Sequence, residues 1–153
     1  MTVFERITQL LTDHSADYQV LHHEPVYTSE EAARVRGTSL SSGAKALICK
    51  CGVEMRLFVM PADRRLDSKA VRRQFGWRKM RFATPDEVLE LTGLKPGSIP
   101  PFGSLFDLPV CCDSALAVNE RINFNAGEHA VSISLLYSDY VRIEQPPMAT
   151  IAE

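Results

Sequence analysis

The chain has 153 residues, enough to bury one hydrophobic core and too few for two comfortable ones. With 45% hydrophobic and 24% charged residues it has the composition of a globular protein, which excludes disordered and fibrous classes. A net charge of −2 argues against a non-specific nucleic-acid clamp, although Arg64, Arg65, Lys69, Arg72, Arg73, Arg78, Lys79 and Arg81 crowd into one stretch opposed only by Asp67.

The opening MTVFERITQL alternates charged and apolar residues, so no secretory leader is expected. No apolar run approaches the ~20 residues of a membrane span, and a soluble cytoplasmic protein is expected. Val3, Phe4, Ile7, Leu10 and Leu11 repeat at helical spacing over residues 3–12. Residues 18–22 read as a strand, after which Pro25 interrupts. Thr28 is placed to cap a helix that runs to about Val35 and ends at Gly37. Residues 44–49 and 55–60 read as two strands joined by a hairpin turn through Gly52, the second closed by Pro61. A basic helix is predicted over about 67–75, capped by Asp67 or Ser68. Another starts at Thr84-Pro85 and ends near Thr92-Gly93.

Residues 94–104, LKPGSIPPFGS, are too rich in proline and glycine for a regular element and read as a shaped loop. A strand at 108–112, a short helix from Asp113 and strands near 121–124 and 130–135 follow. The tail after Val141 carries Pro146 and Pro147 and is predicted to fray. These elements give one α+β (mixed α/β) domain over residues 1–153, with a central and mostly antiparallel sheet surrounded by helices.

Cys49 and Cys51 stand one residue apart, and Cys111 and Cys112 are adjacent. Neither spacing suits a zinc knuckle, and both pairs lie in apolar strand-like segments. Neither metal nor cofactor is expected. There is no Gly-x-Ser-x-Gly elbow, Walker loop, dinucleotide fingerprint or His-Glu-x-x-His. His14 follows Asp13 near a helix end and reads as solvated. Only one of His22 and His23 can face a site, because successive strand residues point oppositely. His129 ends the turn Asn125-Ala126-Gly127-Glu128 and is either an exposed turn histidine or a site residue. Lys45 interrupts an apolar run and either meets solvent or supplies one cation at a pocket mouth. The loop Gly97–Pro101 is either a connector or a rigid wall presenting backbone N–H groups.

In order and spacing these pieces resemble the YbaK/prolyl-tRNA-synthetase-associated domain family over residues 4–143. The resemblance is carried by Thr28 before Ala32-Ala33, Ala44-Lys45-Ala46-Leu47, Val59-Met60-Pro61-Ala62-Asp63 and Leu66-Asp67. It continues through Arg81-Phe82-Ala83, Glu87-Val88, Thr92-Gly93, Gly97 to Pro101 with Phe102-Gly103, Asp113, and Phe124-Asn125-Ala126-Gly127. The resemblance implies hydrolysis, in trans, of the ester on tRNA mischarged with a small amino acid of the Ala, Ser or Thr type, without a cofactor. In that picture Lys45 meets the terminal phosphate or 3′ end and Gly97 belongs to the catalytic loop. Thr28, Pro101, Phe102, Asn125, Gly127 and His129 surround the substrate. The position of His129 lies beside the amino acid in the alanine-editing branch, whereas the cysteinyl branch lacks a histidine there. The implied partners are the tRNA acceptor end, whose phosphates the basic stretch could meet, and an aminoacyl-tRNA synthetase. Membrane and sequence-specific DNA are not among them, since no helix-turn-helix pattern appears. The alternative is a non-catalytic module of the same fold that binds aminoacyl-tRNA or a nucleotide.

Overall fold

A computed structural model describes all residues from Met1 to Glu153. In chain order the elements are α1 (Val3–Asp13), β1 (Tyr18–His22), α2 (Ser29–Arg36), β2 (Ala44–Cys51), β3 (Glu54–Pro61), α3 (Ser68–Phe75), β4 (Met80–Phe82) and α4 (Pro85–Thr92). They continue with β5 (Val110–Asp113), β6 (Arg121–Asn125), β7 (Val131–Leu136), α5 (Tyr137–Glu144) and β8 (Met148–Ala149), with 3-10 turns at Leu40–Ser42, Gly103–Phe106 and Ser114–Val118. The α+β class follows the sequence reading. The helix starts are fixed by the expected caps: the side chains of Thr28, Asp67 and Thr84 accept hydrogen bonds from Glu31, Ala70 and Glu87 backbone N–H groups.

The strands divide between two sheets where one was expected. β1-β7-β6 is wholly antiparallel, and β4-β2-β3-β5-β8 is mixed, with β3–β5 and β5–β8 parallel. The division originates at β2. β3 covers one edge of β2 from Ala44 to Cys51, while the other edge is shared. β4 takes Cys49 to Cys51, and β6 touches only through a single parallel bridge between Gly43 and Asn123. The two ladders splay apart from that bridge.

Alternation within the five-stranded sheet explains its apolar runs. Ala44, Ala46 and Ile48 of β2 and Leu57 and Val59 of β3 join the main core with Ile7, Leu11, Ile122, Phe124, Ile133 and Leu135. Their alternate neighbours Cys49, Cys51, Phe58 and Met60 face the opposite side, where Val71 of α3, Cys111, Ile151 and Ala152 cover them. All four cysteines are buried free thiols. Burial pushes Cys49 and Cys112 up to about 12 and Cys111 to about 11, which keeps them protonated and unreactive.

The C-terminal segment is a second departure from the expectation. It docks where fraying was predicted. β8 pairs in parallel with Cys112 and Asp113, and Ile151 is 0% exposed. The buried Asp113 carboxylate accepts the N–H groups of Ile151 at 2.9 Å and Ala152 at 2.8 Å, and that of Ala115 at 2.8 Å. α5 was also not anticipated: it leaves β7 directly, with no side-chain cap on Leu136 to announce it. No helix is long and apolar enough to cross a membrane.

Candidate active site

A cavity of about 240 Å³ lies where the two sheets separate. Its walls are Ala44–Leu47 of β2, Asn123–Asn125 of β6, the inner face of α2, and Gly97 and Ile99 of the proline-rich loop. Gly43 sits on the floor. A β-carbon there would lie 2.9 Å from Ala62 Cβ and 3.2 Å from the Leu40 carbonyl oxygen, so only glycine lets the sheets meet at this bridge.

Of the residues singled out from sequence, Thr28, Lys45, Gly97 and Asn125 line this one cavity. The Thr28 hydroxyl is committed to capping α2, accepting from Glu31 N–H at 3.1 Å. Lys45 is half-buried and donates from Nζ to the Arg64 carbonyl oxygen at 2.5 Å. Burial pushes its ammonium pKa down, Glu30 and Asp63 pull it back up, and Arg65 adds to the depression. It forms no salt bridge, and Glu30 and Asp63 act only at a distance.

Gly97 has φ of +90°, which turns its carbonyl onto Asn125 Nδ2 at 2.7 Å. Neither the Gly97 nor the Ile99 N–H donates to a protein acceptor, and both residues line the cavity.

The other four stand around this wall rather than in it. The Pro101 carbonyl oxygen accepts from Tyr140 Oη at 2.8 Å. Phe102 is 0% exposed and packs edge-on against Phe124 and Tyr140 at ring distances of 5.7 and 5.3 Å. These two residues tether the loop to the core. Gly127 donates its N–H to the Ser98 carbonyl oxygen at 2.9 Å, joining the loop to the β6–β7 turn. His129 lies behind Gly97, with Nε2 3.6 Å from where a Gly97 β-carbon would stand, and its ring meets Tyr27 at 4.9 Å. Tyr27 lines the cavity and is 72% exposed, so it stands at the rim, with His129 packed against it from outside the lining.

Arg36 was not singled out from sequence, yet it is the second cation of the cavity. It lies on the last turn of α2, one turn beyond the buried Ala32, and that i, i+4 stripe was its only signal. Nε donates to Ser132 Oγ at 2.8 Å and Nη2 to Asn125 Oδ1 at 2.9 Å. No carboxylate pairs with it, and burial lowers its pKa to about 10, which leaves it charged at neutral pH. Ser132 also meets His23 Nε2 at 2.8 Å. A continuous polar chain therefore runs from His23 through Ser132, Arg36 and Asn125 to the Gly97 carbonyl. Asn123 is a further cavity residue, buried and bonded to Ser42 Oγ at 3.1 Å.

Chemically, the cavity is lined by two cations without acid partners and by loop residues whose backbone N–H groups have no protein acceptor. No carboxylate, thiol or imidazole lines it. No group of three or more His, Cys, Asp or Glu residues stands close enough together to hold a metal ion. Such a site suits a substrate with an anionic end and a carbonyl already activated toward water.

Known proteins resemble this chain along most of its length. The family model described as the aminoacyl-tRNA editing domain matches residues 23–143. The multifunctional Ser/Thr-tRNA deacylase ProXp-y of Escherichia coli (strain K12) is 38% identical over 149 residues, covering 94% of this chain and 89% of its own. The prolyl-tRNA editing protein ProX of Acetoanaerobium sticklandii is 25% identical, covering 94% and 91%. Among solved structures, the hypothetical protein APE2540 superposes with a TM-score of 0.88 at 23% identity, covering 97% of this chain and 99% of its own, which establishes likeness of fold.

Proposed function

The chain belongs to the aminoacyl-tRNA editing domain family, and from that premise we propose that it removes a small amino acid from mischarged tRNA by hydrolysis in trans. Water adds to the ester carbonyl carbon, the bond from that carbon to the ribose oxygen breaks, and a free amino acid leaves tRNA with its terminal hydroxyl restored. Lys45 holds the terminal phosphate at the mouth of the cavity. The Gly97 and Ile99 N–H groups receive the carbonyl oxygen as negative charge develops on it. Because the ester is already activated, positioning of water and electrostatic stabilisation suffice without a side-chain nucleophile.

Tyr27 and His129 border the amino-acid side chain and restrict its size. The 38% identical relative is named for seryl and threonyl substrates, and amino acids of this size, together with alanine, are the candidates here. Synthetase-bound tRNA is a natural source of substrate, since 30% identity over 109 residues relates the chain to a part of the proline–tRNA ligase of Trichlorobacter lovleyi. The observation that carries the reading is the pairing of unneutralised cations with free loop donors around one small cavity.

Lys45→Ala tests it. A charge-assisted hydrogen bond contributes about 1.5–3 kcal/mol, so kcat/KM on seryl- or threonyl-tRNA should fall about tenfold to a hundredfold with unfolding unchanged. An unaltered rate would remove Lys45 from the site.

A further inference from the structure

A second concavity lies on the β4 edge of the five-stranded sheet, away from the cavity. It is lined by Lys50, Arg72, Arg78, Lys79 and Arg81 and by no acid. Lys50 and Arg81 are direct partners across the β2–β4 ladder, a like-charge pair that by itself opposes strand pairing. Only Arg81 has a carboxylate, Glu87 at 2.7 Å. Arg72 donates only to the Ser68 and Arg78 carbonyl oxygens, both at 3.4 Å. Lys50, Arg78 and Lys79 are in no salt bridge. In a chain of net charge −2, this is a local concentration of positive charge.

The frame beneath the cations is fixed. The Trp77 N–H bonds the Arg72 carbonyl at 3.0 Å, and the Gly52 N–H bonds the Lys79 carbonyl at 3.1 Å, tying the turn after α3 to the β2–β3 hairpin. Protection of an exposed sheet edge needs only one or two charges and does not require five to converge on a hollow. A flat anionic bilayer matches a hollow poorly, whereas a phosphate backbone fits one.

Lys50 and Lys45 also share β2, roughly 17 Å apart along the strand and, five residues apart, on opposite faces of it, so the groove lies beyond the terminal nucleotides of a tRNA end held by Lys45.

We infer that this groove binds the phosphate backbone of the tRNA acceptor stem whose aminoacylated end enters the cavity; the inference rests on the editing function proposed above. The groove supplies affinity and the cavity supplies chemistry, so the two are separable. The test is K50Q/R78Q/K79Q, checked for native unfolding. Its affinity for uncharged tRNA should fall about tenfold to a hundredfold near 0.1 M salt, and log Kd should depend less steeply on log salt, by roughly one for each phosphate no longer neutralised. Its kcat/KM on a mischarged 3′-terminal trinucleotide, too short to reach the groove, should match that of the unsubstituted protein.

Equal tRNA affinity and salt slope for both proteins would overturn the groove. So would an equal loss of rate on the trinucleotide, or a loss of binding to duplex DNA or anionic vesicles as large as the loss to tRNA. If the unsubstituted protein binds tRNA through these cations yet frees no amino acid from either substrate, the groove stands and the hydrolytic function fails.

Discussion

Arg36 is a buried cation of the cavity with no carboxylate partner. Its guanidinium is taken from water and given two neutral acceptors, Ser132 Oγ and Asn125 Oδ1, in place of a counter-charge. Burying a charge on those terms costs stability, so its retention points to a role in the cavity. By fixing the Asn125 amide it also fixes which end of that amide holds the Gly97 carbonyl. Arg36→Met separates the two consequences. Removing a buried charge in favour of an apolar side chain is often neutral or stabilising, so Tm should hold or rise. The freed amide should let the loop wander, and kcat/KM on mischarged tRNA should fall about tenfold or more. Full activity with an unchanged Tm would make Arg36 a bystander. Sequence did not reveal this residue because an arginine on the last turn of a helix is the ordinary solution to the helix dipole. Lys45 was legible because a single cation inside an apolar run is not ordinary.

At the scale of elements, local signals carried well where the chain satisfies its own backbone. Thr28, Asp67 and Thr84 each cap the helix that follows, and all three starts could be read from a few adjacent residues. The C-terminal segment failed that reading because its partner is 38 or 39 residues away. Asp113 gathers the N–H groups of Ile151 and Ala152, and the Pro147 carbonyl accepts the Cys112 N–H at 2.9 Å, so the segment after the prolines is held rather than released. Asp113→Ala should therefore act on the whole fold. Two buried N–H groups and one part-buried one lose their acceptor, and the loss should be about 2–4 kcal/mol of unfolding free energy in urea. The seam between β5 and β8 should also exchange its amide hydrogens faster. A change below about 0.5 kcal/mol, the ordinary range for surface substitutions, would mean that the tail contributes little.

For the molecule as a whole, division of the strands into two sheets is what creates the site. Strand identities were legible from alternation and turn residues, but the single bridge at Gly43 was not, because it depends on β6 arriving from eighty residues away. Where the ladders part, the small side chains of Ala32, Ala33, Ala44 and Ala46 leave room, and the loop through Gly97 closes the opening. Pro101 and Phe102 hold that loop from the core side, Tyr27 stands at the rim with His129 packed against it, and the basic groove lies at the other end of the same strand.

Hydrolysis is tested most directly with tRNAs charged with alanine, serine, threonine, cysteine and leucine, incubated with the unsubstituted protein and with His129→Ala. The cavity predicts release of at least one of the small amino acids, and none of leucine, by the unsubstituted protein. If His129 is a wall of the pocket, His129→Ala should alter the ratios of kcat/KM among the small substrates; a general base would instead cost all of them about 10²–10⁴-fold. Release of no amino acid above the rate in buffer, from any of the five, would contradict the assignment of this cavity to ester hydrolysis.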